Sequence, residues 1–128
     1  VTVDTFVQNL QENITTDSLD FDIQVLKGDS SGLSKKDFKH DVNIIFYDGD
    51  NSEHKMREFF LNMLDFTEDV FTLVIDDANI EENVAITKRF IDAMGLKILY
   101  ERELLNDQED AEMWWNGLYV VVLSKSKL

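Results

Sequence analysis

The sequence has no cysteine, no proline and only five glycines among 128 residues. Without cysteine there is no disulfide, no thiolate metal site and no cysteine nucleophile. Without proline the chain suits regular strands and helices with few rigid turns. No two of Gly28, Gly32, Gly49, Gly95 and Gly117 stand as G-x-G, so a glycine-rich loop that cradles phosphates is missing. No apolar run approaches the roughly 18 residues that a membrane-spanning helix needs, and no signal-peptide pattern is visible. A cytoplasmic protein that keeps clear of membranes is expected. Basic residues are also scarce: 12 against 26 acidic ones, a formal net charge of -14. That field repels phosphate backbones and argues against nucleic-acid partners. It keeps the chain soluble and it attracts cations.

Apolar residues make up 44% of the chain and aromatics 11%, enough for one core and one domain over residues 1–128. Val3, Phe6, Val7, Leu10 and Ile14 recur at helical spacing, with Asp4 placed to cap the start. Phe21, Ile23 and Val25 alternate, which predicts a strand ending near Lys27. "SGLSKKDFKH" predicts one or two helical turns, and its Lys35, Lys36 and Lys39 form the only interior basic cluster, most simply a solvated loop. "VNIIFY" is an unbroken apolar strand. Met56, Phe59, Phe60, Met63 and Leu64 form the stripe of a helix that starts after Ser52. "DVFTLVIDD" is a second buried strand, and "EENVAITKRFIDAMG" a helix stopped by Gly95. "LKILYEREL" and "LYVVVLSK" are two further strands joined by a polar connection. Met56, Met63 and Met94 fit as core filler, and His54 on the polar side of its helix as solvated; His40 ends the basic loop and carries no assignment. The alternation predicts an α/β fold: a Rossmann-like, mostly parallel sheet with helices on both faces and one antiparallel strand near the C-terminal edge.

Chemistry concentrates at two strand ends. "IIFYDGDNS" places Asp48 and Asp50 after one buried strand, and "FTLVIDDAN" places Asp76 and Asp77 after the next. Open α/β sheets bind ligands beyond the carboxyl ends of their strands. Adjacent strands lie about 4.8 Å apart, so their terminal carboxylates can reach a common point. Their mutual repulsion calls for an offset: a hard cation such as Mg²⁺, a shared proton, or helix N-terminal amides. Taken singly, Asp50 and Asp77 also suit helix capping.

These stretches together, with "IQVLKGDS" before them and a reversed last strand after "WWNG", resemble class I S-adenosylmethionine-dependent methyltransferases. The similarity is to the macrocin- and novobiocin-type sugar O-methyltransferase branch. The resemblance implies Asp48, Asp76 and Asp77 as Mg²⁺ ligands and Asp50 as the general base that takes a proton from a small-molecule hydroxyl. It implies Gly28, Asp29 and Ser30 near the cofactor, S-adenosylmethionine. Asn51 departs from the histidine usual after Asp-Gly-Asp. The family's strand order is 3-2-1-4-5-7-6, and its first two strands, with the glycine-rich loop and the ribose-binding acid, have no counterpart here. A longer parent chain, or a homodimer that completes the sheet, is therefore expected, and the 128 residues alone should bind S-adenosylmethionine weakly or not at all. Two rivals stand beside this. "FYDGDNS" also resembles the Asp-x-Asp strand of haloacid-dehalogenase-like phosphatases. Alternatively the chain is a non-catalytic interaction domain, with Trp114 and Trp115 as aromatic anchors.

Overall fold

The computed structural model describes residues 23–106 and 116–126, together with Thr5, Gln8, Asn9 and Glu12. Those four early residues are helical and exposed, and Gln8 donates to Glu12 one turn on. The apolar stripe expected around them, the first half of the 21–27 strand, the acidic connection and Trp114–Trp115 lie outside the described residues.

The described elements run β1 (Val42–Tyr47), α1 (Glu53–Phe66), β2 (Thr67–Asp76), α2 (Glu81–Ala93), β3 (Lys97–Leu104) and β4 (Leu118–Ser124). Short 3-10 turns at Ser30–Gly32 and Lys35–Asp37 precede them. The sheet order is β1-β2-β4-β3. β1 and β2 pair in parallel; β4 runs antiparallel to both of its neighbours. Three strands therefore point one way, and the last strand inserts in reverse between β2 and β3.

Period-two alternation decides which side of each strand is covered. Ile45 and Tyr47, Phe71, Leu73 and Ile75, and Tyr119, Val121 and Leu123 are all buried. They meet the apolar stripes of α1 and α2: Met56, Phe59, Phe60, Met63 and Phe66 on one helix, Val84, Ile86, Phe90 and Ile91 on the other. Tyr47 packs on Phe59 at 4.9 Å between ring centres, and Phe60 joins the two helices through Phe90 at 5.2 Å. Each such side chain contributes about 1.5–3 kcal/mol by leaving water. Lys125 closes the C-terminal end. Its ammonium donates to the carbonyls of Leu64 at 2.6 Å and Thr67 at 2.5 Å, where α1 gives way directly to β2.

Several expectations need correction. Ile23–Lys27 form no strand; nothing pairs with them, and Ile23, Val25 and Leu26 are 40–49% exposed. A strand needs a partner edge, and alternation alone does not supply one. Both described helices pack on one face, not two, so the other face of β1 is open: Ile44 is 64% and Phe46 58% exposed. Met94 is exposed at the C-cap of α2 rather than in the core. The parallel content is also lower than expected, since only β1–β2 pair in that sense.

Candidate functional site

The parallel pairing of β1 and β2 matches Tyr47 with Ile75, one residue before each acidic tip. Asp48 and Asp76 thus leave the sheet side by side. Their carboxyl groups lie within hydrogen-bonding reach of each other. Partial burial, then the charges of Asp76 and Asp77, push the Asp48 carboxyl above the ordinary aspartate range. Three carboxylates crowd one point, as the strand-end argument required, and in the absence of a cation a proton on Asp48 relieves them.

Asp77 sits differently. Its backbone takes the left-handed conformation (φ 57°), which Asp tolerates better than bulkier residues. Its carbonyl accepts from Ile80 N–H at 3.0 Å and from Asn83 Nδ2 at 3.2 Å, which forms the turn into α2. Its two carboxylate oxygens accept one amide each, from Asn51 at 2.9 Å and Asn116 at 2.8 Å. Asn116 comes from the approach to β4, 39 positions away. Asn51 was visible in the sequence only as a departure from a histidine; nothing in the spacing pointed to Asn116.

The Asp-Gly-Asp turn is shaped by Tyr47. Its hydroxyl donates to the carbonyl of Asp50 at 2.7 Å, and its ring lies over Gly49, where a Cβ would come within 3.0 Å of it. Asp50 turns back to accept from the Ser52 amide at 2.8 Å. That bond to the Ser52 backbone holds the Asp50 carboxyl below its usual value, so it is the weaker base of the pair. Ser52 occupies the N-cap position of α1, but its side chain makes no cap bond; Asp50 supplies the acceptor instead.

Gly28, Asp29 and Ser30 stand apart from the strand-end cluster. Asp29 accepts from the Ser31 amide at 3.0 Å and hydroxyl at 2.8 Å, and from Lys55 on α1 at 3.0 Å. These bonds lower its pKa to about 2. Lys55 also favours the charge on Asp50, and Asp29 opposes it. The structure thus sorts the seven sequence-derived residues into two groups: Asp48, Asp76 and Asp77 at the strand tips, and Gly28, Asp29, Ser30 and Asp50 around the start of α1.

The donor set suits a hard, oxygen-seeking cation in chemistry, and Asp48 and Asp76 converge as such a site needs. Asp77 is turned onto its two amides. Among the described residues no group of three or more His, Asp or Glu is arranged to hold a metal ion. His40 and His54 are exposed and away from the cluster. Among the described residues no helix is long and apolar enough to cross a membrane.

A comparison with family models finds no match, and no curated protein is significantly similar to the chain.

Proposed function

We propose that this chain is a methyltransferase-like α/β domain whose acidic strand tips serve an O-methyl transfer to a small-molecule hydroxyl. The observation that carries it is the sheet order. β1-β2-β4-β3, with β4 reversed and inserted, corresponds to the last four positions, 4-5-7-6, of the order that the family resemblance implies. The acidic pairs then fall at the ends of the fourth and fifth strands of that order. S-adenosylmethionine, when bound, supplies an electrophilic methyl group on its sulfonium.

The chain's own residues contribute orientation and proton handling. Asp48 and Asp76 form the paired oxygen site that would take Mg²⁺ or, without it, share a proton. A hydroxyl entering there meets a carboxylate of raised basicity at Asp48, while Asp50, tied to the Ser52 amide, orders the turn beside it. Asn51 and Asn116 keep Asp77 fixed against both strand tips.

The test is thermal unfolding of the purified chain at neutral pH with and without MgCl₂. Mg²⁺ raises the Tm of the wild type, and D48N and D76N each abolish that rise. A wild type indifferent to Mg²⁺, or variants that respond as it does, sinks the cation site.

A further inference from the structure

The chain carries two unpaired β-forming stretches. The first is the outer edge of β1, which has no neighbouring strand in the sheet. Its sequence, VNIIFY, contains no charge. The opposite edge, β3, carries Lys97, Glu101, Arg102 and Glu103, the kind of charges that discourage strand addition. Beside the free edge of β1 lies an apolar groove of about 400 Å³, walled by Leu33, Phe38, Ile45, Phe59 and Phe66.

The second stretch is Ile23–Lys27. It belongs to no helix or strand, and its apolar side chains face solvent. It does not occupy the groove of its own β1. Leu26 and Lys27 instead line a separate hollow, and Ser30 and Leu33 are common walls of the two. The Ser30–Gly32 turn therefore stands between this stretch and the edge it could pair with.

Charge gives the pairing a direction. Lys35, Lys36, Lys39 and His40 are exposed just before β1 begins. Ile23 is preceded in sequence by Asp20 and Asp22. Parallel addition sets that acidic lead beside the basic entrance of β1, in a molecule otherwise too negative to attract itself. The period of two sends Ile23 and Val25 to the groove side together.

We propose that two copies of this chain exchange these stretches, so that Ile23–Lys27 of each adds as a parallel strand to the outer edge of β1 in the other. Each copy offers one edge and one strand, so the exchange closes as a two-fold dimer with nothing left over. The proposal does not rest on the methyltransferase reading.

Sedimentation of the full chain over a range of concentrations, at moderate salt to screen the net charge, tests it together with hydrogen exchange. The wild type doubles its apparent mass as concentration rises, and the β1 amides gain protection in step. Val25→Pro removes a ladder amide outside every element of the fold. It leaves the far-UV circular dichroism unchanged and the chain monomeric. The double variant K36E/K39E weakens the dimer several-fold. A wild type that stays monomeric throughout, a dimer that survives Val25→Pro, or a dimer whose β1 amides exchange as in the monomer overturns the proposal.

Discussion

At the scale of single residues, Asp48 is where local geometry and charge disagree most. Its carboxyl is held above the ordinary range by burial and by Asp76 and Asp77, so the folded chain binds that proton more tightly than the unfolded one. The sign follows from linkage: the stabilisation is full below the ordinary aspartate value and is lost as pH rises through the raised one. D48N should therefore raise the Tm at pH 7 in the absence of divalent ions, with the gain fading towards pH 3. Asp29 works in the opposite sense. Its lowered pKa of about 2 gives stability that is present above the ordinary value of 3.8 and lost as pH falls towards 2. D29N should lower the Tm at neutral pH and make no difference at pH 2, as pH-resolved thermal melts would show. Gly117 is a third such position. Its φ of 74° and an Asn79 oxygen 2.5 Å from any added Cβ leave no room for a side chain. Gly117→Ala should cost about 1–3 kcal/mol, measured by urea denaturation.

The elements themselves were mostly legible in the sequence, because their patterns are local. β1, α1, β2, α2, β3 and β4 each carry a clean period of two or of 3.6, and each forms where that period predicts. The convergence of Asp48 with Asp76 was legible too, since it needs only that two consecutive parallel strands be neighbours. What escaped depends on tertiary placement. The alternation at Phe21–Lys27 is a strand pattern without an edge to join, so it remains unpaired over its described half. The face on which each helix packs is set by the handedness of the crossovers, not by the stripe. Asn116 reaches Asp77 only because β4 turns back between β2 and β3. The junction from α1 to β2 shows how one residue holds such an arrangement. Phe66 ends the helix and Thr67 begins the strand with no loop between them, leaving carbonyls that Lys125 satisfies from the far end of the chain. Lys125→Met keeps the apolar stem over Phe71 and removes the donor. It should destabilise by about 1–3 kcal/mol, the range for a charged hydrogen bond, and urea unfolding would read it.

At the scale of the whole molecule, charge sets the terms. With a net charge of -14 the compact state repels itself, and the acidic strand tips concentrate that repulsion at one end of the sheet. Two kinds of relief are separable. Monovalent salt screens all exposed charges alike, with a Debye length near 10 Å at about 0.1 M, so NaCl should raise the Tm gradually and in every variant. A divalent cation bound between Asp48 and Asp76 acts at one point and saturates. At matched ionic strength MgCl₂ should therefore stabilise the wild type beyond NaCl, with a midpoint, and should match NaCl in D76N. Equal curves for the two salts in the wild type would mean that the strand tips add only to the general field. The acidic pairs would then serve their turns and the solubility of the chain, and the case for a cation-assisted reaction at this end of the sheet would fall with them.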